Sequence, residues 1–365
     1  MLFLLAAAAL LSAKNIILHI NFYDTIRSMK TLVCDAPRQL NYQDVNIPEL
    51  TPGHTIIRIR KIGICGTDLH AFEGKQPYFS YPRILGHELA GEIVETDRTD
   101  FSIAEAVTFL PYFNCGHCIA CRNGKSNCCT KMKVFGVHID GGMCEYVSVP
   151  SDKLVHAEGL SFEQLALVEP LSIGAHAIRR GEVTADDTVL VVGAGPIGLG
   201  VMEFAGIAGA KVIALDISDS RLKFCKEKIQ IKHCINGSTQ NATEELVRIT
   251  DGDMPTVVID ATGNLKAINT SFEYLSHGGK YILVGLQGGQ INFSHPEFHK
   301  REATLMSSRN ATRSDFEFVI NCIKEGRIIP ENYITHRVDF SQVKADFESW
   351  LNPATGVIKA MVSLN

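Results

Sequence analysis

The chain has 365 residues, a formal charge of −5 at pH 7, 45% hydrophobic residues and 21% charged residues. This is the composition of an ordinary water-exposed globular protein, and the lack of any basic run excludes a nucleic-acid partner. The length exceeds what one hydrophobic core usually fills and predicts two domains.

Leu2 to Leu11 is an apolar run of leucine, alanine and phenylalanine, too short to span a bilayer and preceded by no basic residue. Met29-Lys30-Thr31-Leu32-Val33-Cys34 reads as a natural start leading directly into a strand. Residues 1–28 are therefore read as an N-terminal appendage or a mis-assigned start, secretion being the alternative. Of the eleven cysteines, five cluster between Cys115 and Cys129, while Cys34, Cys65, Cys144, Cys225, Cys234 and Cys322 are scattered. That usage fits a reducing, cytoplasmic setting with no membrane partner.

From Thr31 to about Leu171 the pattern is one of short strands. Thr55-Ile56-Ile57-Arg58-Ile59-Arg60 and Glu145-Tyr146-Val147-Ser148-Val149 alternate, with glycine and proline turns between them. From about Thr188 strands alternate with helices. Val189 to Val192 is an apolar strand, Leu199 to Ala208 a small-residue helix, and Lys211 to Leu215 a second strand. Thr256 to Ile259, Tyr281 to Val284 and Ala303 to Met306 follow as strands. Such a βαβ series predicts an α/β fold with a doubly wound parallel sheet. Phe316, Val319, Ile320 and Ile323 then mark one amphipathic helix before further strand-like pieces.

Gly193-Ala194-Gly195-Pro196-Ile197-Gly198 follows a strand and opens a helix, and Asp216 ends the next strand. In that context G-x-G-x-x-G is the dinucleotide fingerprint: the glycines permit a tight turn, close approach of pyrophosphate and close helix–strand packing. Asp216 is expected to accept hydrogen bonds from the adenosine ribose and to favour NAD over NADP. Arg221 is the residue that could hold an extra phosphate instead. Val284 and Gly285 are added as cofactor-binding residues.

Cys115, Cys118, Cys121 and Cys129 are spaced C-x2-C-x2-C-x7-C, with Cys128 as the alternative to Cys129. Four thiolates close a tetrahedral zinc site and leave no position for chemistry, so this zinc is expected to be structural. A ferredoxin cluster would need its last cysteine after three residues, followed by proline, and Thr130 follows here. A second constellation combines Cys65, Thr67 and His70 with Gly86-His87-Glu88 and Glu169. Its mixed S, N and O donors suggest an open metal site.

Together these residues identify a resemblance to the zinc-dependent medium-chain dehydrogenases from about Met29 onward. Gly86-His87-Glu88-Leu89-Ala90-Gly91 resembles that family's zinc signature, and Glu169 to Ala177 (EPLSIGAHA) is similar to its polyol and threonine dehydrogenase branch. Gln76 to Arg83, Asn127-Cys128-Cys129, Glu297 to Lys300 and Ser308 to Thr312 add to the likeness with hexonate 5-dehydrogenation enzymes. One departure is local: where the family has a Gly-Asp-Arg-Val turn, this chain has Ala104-Glu105-Ala106-Val107.

The resemblance implies a GroES-like β-rich catalytic domain (29–174 and 311–365) interrupted by a Rossmann domain (175–310), in a homodimer or homotetramer. It implies two Zn²⁺ per subunit and NAD. Cys65 and His87 are the implied ligands of a catalytic zinc, joined by Glu88 or Glu169, with Thr67 and His70 as a proton relay. Glu88 can equally be a structural carboxylate beside the metal. Arg309 and Asn310 are candidate substrate contacts, Arg309 being equally able to orient Glu169, and Lys300 with Arg301 reads as a solvated charged turn, with attraction of a sugar-acid carboxylate as the alternative. The implied reaction is oxidation of a secondary hydroxyl of a polyol or sugar acid, foremost C5 of an L-hexonate such as L-galactonate or L-gulonate. A sorbitol- or L-threonine-type dehydrogenase is the alternative, and a non-enzymatic zinc- and nucleotide-binding protein the alternative of another class.

Overall fold

The computed structural model describes residues 28–365; the reading of the first 27 residues lies outside the described part. Six parallel strands form one sheet in the spatial order His233–Asn236, Lys211–Asp216, Thr188–Val192, Val257–Asp260, Lys280–Leu283, Thr304–Ser307. In chain order this is 3-2-1-4-5-6, the doubly wound arrangement. The first strand reads as continuously apolar because both of its faces are covered. Val189 and Val191 enter one core, while Leu190 and Val192 enter another on the opposite face.

The edge strand His233–Asn236 was not legible in sequence. Its four residues include one histidine, one cysteine and one asparagine, so neither length nor apolarity marks it. At the other edge, Thr304–Ser307 is largely exposed.

The second domain is built on a seven-stranded sheet in which His54–Gly63 is central, pairing with Glu88–Thr96, Tyr146–Pro150 and Lys359–Ser363. All three pairings are antiparallel, and apolar side chains alternate into a core of Ile57, Ile59, Ile62, Leu89 and Val147. The last strand, Lys359–Ser363, arrives after the Rossmann segment and sets Met361 against Gly63. The chain thus leaves this domain and returns to it.

The turn before Ala106–Phe109 keeps the pairing of the strands despite its altered sequence. Ala104 adopts φ +66° and donates its N–H to Ile93 O at 2.8 Å, and the Ile93 N–H returns to Glu105 O at 3.0 Å. A residue with a Cβ occupies the left-handed conformation that glycine would take without strain. The helix Val168–Gly181 packs against both Pro196–Ile207 and Arg313–Lys324, joining the two parts of the molecule. Among the described residues no helix is long and apolar enough to cross a membrane.

Candidate active site

Cys65 ends the turn after strand His54–Gly63 and caps the short helix Gly66–Phe72. Asp68, in the first turn of that helix, accepts the Cys65 N–H at 2.9 Å and the Gly86 N–H at 3.1 Å. One buried carboxylate therefore ties the segment of Cys65 to the segment of His87, although the sequence reading gave it no role. As a result Cys65, His87 and Glu88 offer ligand atoms within 4.8 Å of one another. Sulfur, imidazole nitrogen and carboxylate oxygen brought together in this way form a donor set suited to zinc. His87 Nδ1 is buried with no hydrogen-bond partner and lies 3.7 Å from Asp68 Oδ1. A ligand imidazole commonly turns its outer nitrogen to a carboxylate in this way, so the residues fit the metal.

Glu88 is fully buried, and Lys359 Nζ sits 2.6 Å from each of its carboxylate oxygens. Gly63 makes the space: a Cβ there would lie 2.1 Å from Glu88 Oε2. Lys359 also donates to Ile64 O at 3.1 Å. Burial disfavours its charge, but the Glu88 carboxylate beside it, together with the charges of Cys65 and Glu169, outweighs this and holds the ammonium above its ordinary value. This lysine too was missed from sequence.

Glu169 stands at the start of helix Val168–Gly181 and is 4% exposed. It lies outside the three-residue cluster and accepts a hydrogen bond from the Tyr112 hydroxyl. Burial lifts its carboxyl to about 7, opposed by His87 and reinforced by Glu88. For His87, burial works against the charged ring, but the Cys65 thiolate and the Asp68 carboxylate outweigh it and hold the imidazole well above its ordinary value. The site is a crowd of negative donors in want of a cation. Thr67 is half-buried and His70 exposed on the same short helix, so the two step outward from Cys65.

Arg309 and Asn310 lie beyond the carboxyl end of strand Thr304–Ser307. Arg309 is exposed, and its charge, with that of Arg83, adds to burial in lowering His138. Asn310 has φ +52° and donates Nδ2 to Asn127 O at 3.1 Å. Lys300 and Arg301 both pair with Glu297, at 3.1 and 2.8 Å. Lys300 ends the short helix His295–Lys300 and is exposed, whereas Arg301 is partly buried and donates Nε–H to Leu275 O at 3.0 Å, so only Lys300 fits the expected solvated turn.

The glycine loop has the shape of a phosphate cradle. A Cβ on Gly198 would lie 1.8 Å from Gly193 O, whereas above Gly195 the nearest atom is Arg221 Nη1 at 4.0 Å. Gly195 precedes helix Pro196–Ile207, so open space meets free backbone N–H groups at a helix start. Asp216 accepts the Ala194 N–H at 2.6 Å and the Ser218 N–H at 2.9 Å, which fixes its carboxylate beside the loop. Val284 and Gly285 follow strand Lys280–Leu283 and donate their N–H groups to Asp260 O at 3.0 Å each. Gly285 is pressed against Gly263, where a Cβ would lie 2.1 Å from the Gly263 nitrogen.

Cys115, Cys118, Cys121 and Cys129 form a second group of ligand atoms within 4.8 Å, and the exposed Cys128 stands outside it. Backbone N–H groups of Cys121 and then Thr130 lower Cys118 to about 5, and Cys129 Sγ accepts N–H groups of Cys115 and Lys131 at 3.2 and 3.3 Å. Donors aimed at sulfur favour thiolates, the form that binds metal, although at Cys129 burial outweighs them and raises the thiol. Four sulfurs and no other donor fit a closed zinc site.

Two family models match this chain: the alcohol dehydrogenase GroES-like domain over residues 51–159 and the zinc-binding dehydrogenase over residues 196–325. The chain belongs to the zinc-dependent medium-chain dehydrogenases. It is 40% identical to L-galactonate-5-dehydrogenase of Escherichia coli K12 over 338 residues, 92% of this chain and 99% of that protein. It is 32% identical to a sorbitol dehydrogenase of Halalkalibacterium halodurans, covering 81% of this chain and 88% of the relative. Among solved structures, the RspB alcohol dehydrogenase of Escherichia coli CFT073 with NADH superposes with a TM-score of 0.87 at 31% identity, over 93% of this chain and 100% of the other. The expected family and its GroES-like and Rossmann architecture therefore hold.

Proposed function

We propose that this zinc-type dehydrogenase oxidises a secondary hydroxyl of a sugar acid, C5 of L-galactonate or L-gulonate, with NAD as acceptor. The chemistry rests on one observation above all: the ligand atoms of half-buried Cys65 and buried His87 and Glu88 converge within 4.8 Å. The substrate rests on the 40% identity to L-galactonate-5-dehydrogenase. Cys65 and His87 would hold the catalytic zinc, with Glu169 or Glu88 as the third ligand, and Cys115, Cys118, Cys121 and Cys129 would hold a structural one. A zinc held there would supply Lewis acidity toward the substrate hydroxyl, and NAD seated on the glycine loop would supply the hydride acceptor.

The chain's own residues supply the rest. Asp68 holds the Cys65 and His87 segments in register. Lys359 neutralises Glu88, which leaves Glu169, steadied by Tyr112, as the freer carboxylate for ligand exchange. Thr67 can accept and donate a proton at once, and His70 can deliver it to water. The glycine loop and Asp216 seat the dinucleotide, with Arg221 at the side of the loop. The exposed Arg309 guanidinium suits a sugar-acid carboxylate, and Asn310 shapes the loop that carries it.

The domain limits proposed are 29–174 with 311–365, and 175–310. Eleven unpaired cysteines support a reducing, cytoplasmic setting. The exposed edge strand Thr304–Ser307 offers a route to a homo-oligomer.

The test is a panel of hexonates, uncharged polyols and L-threonine, compared by kcat/KM with NAD. A clear preference for L-galactonate or L-gulonate is expected. Preference for sorbitol or another neutral polyol would overturn the sugar-acid assignment and favour the polyol reading.

A further inference from the structure

Three stretches that marked the sequence as belonging to this branch meet in space: Asn127-Cys128-Cys129, Glu169 to Ala177, and Ser308 to Thr312. The meeting point is Asn127, 5% exposed, in the turn between the third and fourth cysteines of the four-cysteine lobe. Its Nδ2 lies 2.9 Å from Arg309 O and 3.0 Å from His176 Nε2. A carbonyl oxygen only accepts, so the amide nitrogen must face Arg309. The second N–H then donates to His176 Nε2, and His176 Nδ1, 2.9 Å from Asp315 Oδ2, carries the ring proton.

The chain of bonds does not stop there. Asp315 also accepts the Thr312 N–H at 2.7 Å and the Arg179 Nε–H at 2.8 Å. Asn127 O in turn accepts Asn310 Nδ2 at 3.1 Å, and Asn310 is held at φ +52°. A non-glycine residue in that conformation needs its surroundings to hold it there. The 309–312 segment is thus gripped at Arg309, Asn310 and Thr312, and two of those grips belong to Asn127. The segment leaves the carboxyl end of a parallel strand, the edge at which such sheets bind ligands.

We infer that Asn127 is a positioning residue that makes the four-cysteine lobe part of the frame of the active cleft. By anchoring Arg309 and Asn310, with His176 and Asp315 as its support, it sets where the Arg309 side chain stands. The lobe then acts on substrate affinity as well as on stability. The effect on affinity rests on the sugar-acid reading above; the anchoring does not.

The experiment compares wild type with Asn127→Ala and Asn127→Asp as full-length zinc-loaded enzymes. Asp is nearly the same shape but cannot donate to Arg309 O, so it is expected to behave like Ala. Both variants should keep their zinc, show KM for the hexonate raised about ten-fold with kcat within about three-fold, and show amide exchange in 308–312 about ten-fold faster. A general loss of folding would instead speed exchange throughout and move kcat. His176→Gln keeps the bond to Arg309 and should give a smaller shift of the same kind, which retains the test if the Asn127 variants fold poorly. Unchanged exchange in 308–312 in the Asn127 variants, or in His176→Gln if it alone folds, overturns the inference. Faster local exchange in an enzyme that proves inactive on hexonates upholds the anchoring and overturns the substrate reading alone.

Discussion

Lys359 Nζ lies 2.6 Å from both carboxylate oxygens of Glu88, and the two residues are 2% and 0% exposed. Taking away one partner of such a pair strands the other charge in the interior. Lys359→Met is therefore expected to lose about 3–5 kcal/mol of stability, measured by urea unfolding of the zinc-loaded protein. The double variant Lys359→Met with Glu88→Gln should regain most of it, because neither member of the pair is then left as an unpaired charge. A loss of less than about 1 kcal/mol in the single variant would contradict the burial of this pair.

Cys128 and Cys129 are neighbours in sequence and opposites in environment. Cys128→Ser should leave metal content and melting temperature at wild-type values. Cys129→Ser should release about one zinc equivalent per chain by elemental analysis and lower the melting temperature, because binding energy in a closed site is folding energy. Equal effects of the two substitutions would rule out the four-sulfur assignment.

Glu203 lies on helix Pro196–Ile207, where it accepts a hydrogen bond from Tyr333 of the returning segment. Burial pushes its carboxyl up to about 7 from 4.5. Between those values the native state binds more protons than the unfolded chain, so this group's contribution falls as pH rises from 4.5 toward 7. Glu203→Gln keeps an acceptor for Tyr333 and removes the titration. It should match wild type near pH 4.5 and exceed it by about 2–3 kcal/mol near pH 8. An unchanged stability difference between the two pH values would show that the group does not titrate as its burial requires.

Ala104 at φ +66° carries a Cβ in a conformation that glycine takes freely. Ala104→Gly is expected to gain about 1 kcal/mol in thermal or denaturant unfolding, since the relief of strain exceeds the added freedom of the unfolded chain. A destabilised variant would mean that the turn relies on the methyl group for packing.

Much of this molecule was legible because its elements follow simple rules. Val189 to Val192 is buried on both faces and so reads as an uninterrupted apolar strand; Phe316, Val319, Ile320 and Ile323 share one helix face and are all buried. The cysteine spacing and the glycine loop are local, so one stretch of sequence contains the whole signal. What stayed hidden depends on partners far along the chain. Lys359 looks like a surface lysine until the last strand is set beside Gly63, although its place among Ile358, Ala360 and Met361 is a faint mark of burial. Asp68 was in view between Thr67 and His70, but its task is to hold two loops together, which no spacing reveals. Asn127 showed only as part of a likeness.

The return of the chain to the domain of the seven-stranded sheet has a consequence for how the enzyme is completed. Glu88 and Lys359 are 271 positions apart, and the Rossmann segment is synthesised between them. While the chain grows from its N-terminus, the Glu88 carboxylate lacks its counter-charge and the seven-stranded sheet lacks a strand. A translation product that stops short of Lys359 has every proposed zinc-binding residue yet lacks the lysine that pairs with Glu88.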